Sequence, residues 1–180
     1  MVGLSRRRRC RILARVTRER DIDFRLESEA LTGEELRISR VLGTDRLNQL
    51  FEYTIHAERD VGVVLDPDDL ILAPASLAFL VEGEEIHRLF GMISEVRDLA
   101  EPQMLTPRLV IRFVPRSFSA TMRETLDIFM EKTIPQIVED CLQRCGLEAS
   151  EHYDISGLTE SYEPKEFVVQ YKETDFAFIS

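Results

Sequence analysis

Tyr162-Glu163-Pro164-Lys165-Glu166-Phe167-Val168-Val169-Gln170-Tyr171-Lys172-Glu173-Thr174-Asp175-Phe176 is the stretch from which the fold is read. Phe167, Val169 and Tyr171 alternate with the residues between them, a strand-like period of two. At Thr174-Asp175 the pattern changes, and a helix opens with Phe176 and Ile179 on one face. So short a helix is not stable alone, and the sequence stops at Ser180. We read that ending as a gene or fragment cut within a larger protein. Phe176, Phe178 and Ile179 are expected to be bare and to promote association.

Upstream lies one strongly periodic helix. Ile134, Ile137, Val138, Cys141, Leu142 and Cys145 follow the i, i+3, i+4, i+7 template. Thr133 is its expected N-cap, Pro135 falls in the first turn and Gly146 is the stop, which places it near 133–146. Before it the period is two. Ile22, Phe24 and Leu26 alternate with polar neighbours, Thr32-Gly33-Glu34-Glu35 is a turn, and Leu36 to Leu42 is a second strand. Phe51, Tyr53, Ile55 and Ala57 line one face of a third, with a wet face opposite. Asp66-Pro67-Asp68-Asp69 starts a short helical turn with acids where the helix dipole favours them.

A hairpin follows, Ala75 to Val81 and Ile86 to Val96 about a loop at Glu82-Gly83-Glu84-Glu85. In its second arm Leu89 and Ile93 point one way, and Phe90, Met92 and Val96 the other. Gly91 marks the change, by a bulge or a close backbone approach. Leu109, Ile111 and Phe113 continue the sheet with Arg108 and Arg112 outward, and Pro115 ends it. The fold class is mainly β with α.

Composition fits that reading. The 180 residues carry 44% hydrophobic and 31% charged side chains, values of a globular chain. No apolar run approaches the roughly 18 residues of a membrane span. The net charge of −10 is unevenly placed. Residues 1–20 hold eight Arg and one Glu, +7, while residues 21–180 hold 15 basic and 32 acidic side chains, −17. So acidic a body repels duplex nucleic acid. The run Ser5-Arg6-Arg7-Arg8-Arg9-Cys10 lacks the apolar stretch of a signal peptide. We read residues 1–20 as a basic, disordered leader outside the fold. An arm for nucleic acid or anionic lipid is the alternative.

Catalytic signatures are missing. There is no Gly-rich phosphate loop, nucleophile elbow or zinc-protease helix. His56, His87 and His152 read as solvated surface residues. Acid pairs such as Asp68-Asp69 and Glu84-Glu85 sit in turns, without the unlike environments an acid/base pair needs. Cys141, Cys145 and His152 fall short of the four ligands of a structural zinc site. Both cysteines also lie on the helix stripe, so they read as small buried hydrophobes. No enzyme, cofactor or metal is expected.

Five stretches in order carry a resemblance. They are Leu50 to Ile55, Leu70 to Ala75, His87 to Ser94, Ile128 to Val138 and Tyr162 to Phe176. Together they resemble the N-terminal baseplate-hub region of the VgrG family, the spikes of type VI secretion systems. The same superfamily holds the phage late control D proteins. The likeness covers residues 22–180. It rests on Phe51, Tyr53, Phe90, Gly91, Phe129, Pro135, Tyr162, Pro164, Glu166, Gln170, Tyr171, Glu173 and Asp175. The family pattern has Arg, Tyr, Cys and Ser where this chain has Lys165, Phe167, Val168 and Thr174, with Pro164 one place late.

The resemblance implies a partial β-barrel hub domain with a structural role, caught here in its N-terminal part. It implies a homotrimer seated on a tube of Hcp rings, with an OB-fold, a needle and effectors beyond these residues. It also implies assembly in the bacterial cytoplasm and export by the apparatus itself. A phage tail baseplate hub is the nearest alternative. For a hub, the motif residues serve to fix strand–helix packing.

Overall fold

The computed structural model describes residues 22–29, 31, 35–59, 65–99 and 107–180. The basic leader, Cys10 and the turn at 32–34 lie outside the described residues. Six strands make one antiparallel sheet: β1 (Ile22–Ser28), β2 (Leu36–Thr44), β3 (Glu52–Arg59), β4 (Pro74–Val81), β5 (Glu84–Leu99) and β6 (Arg108–Val114). Their spatial order is β1-β4-β5-β6-β3-β2. The sheet curls into a half-barrel that brings edge strands β1 and β2 towards each other. A short helix α1 (Pro67–Leu70) precedes β4, and the Asp66 carboxylate accepts from the Asp68 N–H at 3.0 Å.

The concave face is the core. Ile55, Leu77, Ile93, Ile111 and Phe113 are fully buried there, with Leu26 from β1. Phe51 stacks on Phe113 at 5.6 Å, and Phe24, Tyr53 and Phe79 pack edge to face around them. The alternating strands read from sequence are all present, because a sheet with one buried face needs that pattern. On the convex side Arg88 ties three strands together. Its guanidinium donates to Glu27 at 2.5 Å, to Glu85 at 2.6 Å and to Ser76 Oγ at 2.7 Å.

The long strand β5 corrects one expectation. Val96 packs on the same core as Leu89 and Ile93, rather than pointing away with Phe90 and Met92. The face changes at Ser94, where the register against β6 slips between Ile93 and Glu95. One extra residue reverses the alternation beyond it. Gly91 has the other role: a Cβ there would lie 2.2 Å from the Val114 carbonyl oxygen. The hairpin loop is also tighter than read. Only Glu82 and Gly83 form the turn, at φ of 55° and 85°, the conformation of a type I′ turn.

Past Pro115 a 3-10 turn spans Arg116–Thr121, and a second, two-stranded sheet follows. Its strands are β7 (Glu124–Lys132) and β8 (Lys165–Thr174), antiparallel. Helix α2 (Ile134–Arg144) and helix α3 (Asp175–Ile179) cover one side of this ribbon. Thr133 and Gln136 form a reciprocal capping box on α2, and Gly146 ends it at φ 77°. Strand β7 was not read from the sequence, nor was the 3-10 turn.

Helix α3 overturns the expectation of a bare apolar end. Phe176, Phe178 and Ile179 are half-buried, and Phe178 stacks on Phe129 at 5.7 Å. Packing on the ribbon supplies what the short helix lacks alone. The exposed apolar surface lies elsewhere. Leu126, Ile128, Met130, Phe167, Val169 and Tyr171 are 43–64% exposed, all on the face of the ribbon turned away from the helices. No helix among the described residues is long and apolar enough to cross a membrane.

Candidate functional site

The junction of β7, β8, α2 and α3 is a polar knot in an otherwise apolar layer. Arg144 closes the last turn of α2, where a cation faces the negative end of the helix dipole. Its Nη1 donates to Asp127 of β7 at 2.7 Å. Its Nη2 donates to Asp175 at 2.8 Å and to the Gln170 side-chain oxygen at 3.1 Å. The guanidinium also lies over the Phe129 ring, 5.8 Å from its centre.

Asp175 is 3% exposed and Gln170 fully buried, so each must be satisfied from within. The Gln170 amide donates to Asp175 at 3.0 Å and to the Glu173 carbonyl at 3.2 Å. The Cys145 thiol donates to the second oxygen of Asp175 at 3.3 Å. Burial, and then this bond, push the Cys145 thiol up to about 11. Burial likewise raises the Cys141 thiol. Burial works against the Arg144 charge, but Asp175, Asp127 and Cys141 together outweigh it and raise its pKa.

These contacts leave no reactive group idle. The buried acid is held by an arginine, an amide and a thiol, and both thiols are kept protonated at neutral pH. The arrangement can clamp four elements together; it offers neither a nucleophile nor a poised general base. Among the described residues no group of three or more His, Cys, Asp or Glu is placed to hold a metal ion. The cysteines are not purely hydrophobic fillers, as their stripe suggested, because each sulfur faces a polar partner. Nor is His152 a solvated surface group. Its side chain is 12% exposed, and its Nδ1 accepts from the Glu148 N–H at 3.0 Å.

The thirteen motif residues are not one cluster. Phe129, Gln170, Glu173 and Asp175 meet at the knot. Pro135 lies in the first turn of the adjoining helix. Phe51 and Tyr53 sit together in the half-barrel, rings 5.7 Å apart. Gly91 lies under the Val114 carbonyl, while Phe90 is 73% exposed on the convex face. Tyr162, Pro164 and Glu166 lie at the surface where the chain enters β8, and Tyr171 belongs to the bare ribbon face. Arg144, which gathers the knot, was missed. Its signal was a lone basic residue in the last turn of a helix, three places after Cys141.

Comparison with known proteins now bears on this geometry. Residues 44–180, from the end of β2 through α3, match the family model of the phage tail baseplate hub (GPD). The chain belongs to that family. Its sequence is 27% identical over 146 residues to the type VI secretion system spike protein VgrG1a of Pseudomonas aeruginosa. That match covers 81% of this chain and 22% of the spike protein. With VgrG4b of the same organism the identity is 31% over 129 residues, 72% of this chain and 15% of the relative. The chain thus spans about a fifth of the length of these spikes.

Solved structures show the same fold. An Escherichia coli type VI secretion component, c3393, superposes with a TM-score of 0.63 at 24% identity, over 86% of this chain and 41% of that one. That protein is itself described as similar to the bacteriophage T4 tail proteins gp27 and gp5. The 43 kDa tail protein of a Shewanella oneidensis prophage superposes at 0.52 with 11% identity, over 88% and 46%. Both superpositions cover most of this chain, so the fold is shared with these tail and secretion proteins.

Proposed function

We propose that residues 22–180 serve as a rigid structural part of the hub of a contractile injection apparatus of the type VI secretion kind. The observation that carries this is the match of 44–180 to the baseplate-hub family, which takes in β3 to β6 of the half-barrel and the whole knotted ribbon. In this reading three copies form the hub, which caps a tube of Hcp-type rings. Domains outside this chain carry the point and the effectors, and the assembly leaves the cytoplasm through the apparatus itself. Of the motif residues, Phe129, Pro135, Gln170, Glu173 and Asp175 then hold strand to helix. The role is mechanical, in keeping with relatives that are spike and tail proteins.

The test is a chimera. Residues 44–180 replace the matching segment of P. aeruginosa VgrG1a, and export of the tube protein into the medium is measured in a strain lacking other spikes. Export at a substantial fraction of the wild-type level is expected. A chimera that is folded and abundant, yet neither assembles nor supports export, overturns the reading. The low identity to prophage tail proteins at similar coverage makes a phage hub the second reading. The same segment placed in a phage hub and scored for infectious particles separates the two.

A further inference from the structure

Away from the knot, the convex face of the half-barrel carries a charge pattern at odds with the rest of the chain. Directly opposed residues of an antiparallel sheet share a face. The register therefore sets Arg37, Glu58 and Arg108 in one outward row across β2, β3 and β6. Arg40, His56, Val110 and Arg97 form the next row, and Leu42, Thr54, Arg112 and Glu95 the third, both reaching β5. With Glu52 beyond them on β3, five arginines meet three glutamates, a charge of +2. The body of the chain, at −17, has 15 basic and 32 acidic side chains in all. The two ends of this face differ. Arg112 donates to Glu52 and Arg97 to Glu95, so those charges are neutralised within the sheet. At the β2 end, exposed Arg37 and Arg40 pair with no carboxylate among the described residues, and Arg108 reaches Glu58 only at 3.4 Å. Arg40 and Arg108 stand with His56 and Leu99 around a depression of about 280 Å³. We propose that the β2 end of the convex face binds an acidic segment of a partner protein.

Three features point to that partner. The first is charge: the unpaired cations want anions, and a carboxylate is the anion a polypeptide supplies. The second is the kind of cation. All five are arginines, whose planar forks take carboxylates by two parallel hydrogen bonds and which are enriched at protein interfaces, where lysine is depleted. The third is what lies between them. Leu42 and Leu99, both 45% exposed, and half-buried Val110 alternate with the charges. A protein surface matches such a mixture of apolar and cationic contacts. A nucleic acid or an anionic membrane presents a denser and more extended negative charge, which the −17 of the body repels. Nothing in this requires a tube or a trimer, so it stands apart from the hub reading.

The probe is a fluorescein-labelled oligoglutamate of about ten residues, and its anisotropy is followed as the 180-residue chain is added at low salt. Every protein compared carries Arg→Gln at positions 6–9, 11, 15, 18 and 20, so the basic leader does not capture the probe. Saturable binding is expected, weakened severalfold when the salt is raised to about 0.3 M. Arg37→Glu with Arg40→Glu should raise the dissociation constant about tenfold. Arg123→Glu with Lys172→Glu makes the same change in net charge at exposed positions off this face, and should change it less than twofold. Circular dichroism checks that both variants are folded. Duplex DNA of about 20 base pairs and vesicles containing phosphatidylserine are titrated in parallel and should bind more weakly than the peptide. A chain that does not bind oligoglutamate overturns the proposal, as does an equal loss in the two double variants. Tighter binding of DNA or vesicles that depends on Arg37 and Arg40 overturns it too, by assigning the face to a phosphate ligand.

Discussion

The half-barrel and the helix-backed ribbon are built on opposite principles. In the half-barrel every strand contributes apolar residues to the concave core, and Arg88 and Arg112 lie outside it in ion pairs. In the ribbon the buried side holds a salt bridge, an amide and two thiols, and the continuous apolar face is outside. The first region stabilises itself by removing carbon from water, a term that is not directional. The second is fixed by directional bonds among four elements. The difference separates a wall that tolerates substitution by volume from a joint that depends on each partner.

The largest expected effect is at the joint. Asp175→Ala removes the buried partner of Arg144, Gln170 and Cys145 at once, and leaves Arg144 with Asp127 as its one carboxylate partner. A loss of about 3 kcal/mol is expected from urea unfolding of the full chain. Adding Arg144→Met should recover part of that loss, because the half-buried charge that has lost its buried partner goes with it. If the double variant is no more stable than the single one, the knot is not held together by this ion pair.

In the half-barrel the corresponding change is gentler. Ile111→Val deletes one buried methylene from the centre of the core and should cost ~1 kcal/mol. Leu109 and Phe113 lie on either side of it on the same face of β6, so no polar partner is orphaned. A cost as large as that of Asp175→Ala would erase the contrast between the two regions.

How much of this was legible follows the same divide. The half-barrel strands could be read because their one buried face imposes alternation: Ile55 and Ala57 in β3, Leu109 to Phe113 in β6. The capping box at Thr133 and the stop at Gly146 could be read because local chemistry alone sets them. Strand β7 could not. Leu126, Ile128 and Met130 do alternate, but they face away from the helices, and its one core residue, Phe129, lies between them in the opposite phase. The knot was equally hidden. The bonds of Arg144 to Asp127, Gln170 and Asp175 span 17, 26 and 31 residues of sequence, and nothing in Arg144 or Asp175 alone announces that they meet. The bulge at Ser94 reversed the reading of Val96, since a one-residue slip carries no composition signal.

The smallest expected effect is a pH dependence that distinguishes the two regions without disrupting either. The Cys145 thiol is pushed up to about 11 in the folded chain, first by burial and then by its bond to Asp175. Unfolding returns it to the ordinary thiol range near 9. Between those values the folded chain holds a proton that the unfolded chain has released. Stability contributed at Cys145 is therefore complete below about pH 9 and falls as pH rises towards 11. Tyrosines and lysines titrate in the same range, so the measurement is a difference. Urea midpoints of the wild type and of Cys145→Ala are compared at about pH 8 and about pH 10.5. The wild type should lose more between the two than the variant. Introducing Ile111→Val into both should lower all four midpoints by one common amount, because the half-barrel has no part in that proton. Parallel declines in wild type and Cys145→Ala would remove the thiol from the joint and leave Arg144, Gln170 and Asp175 to hold it alone.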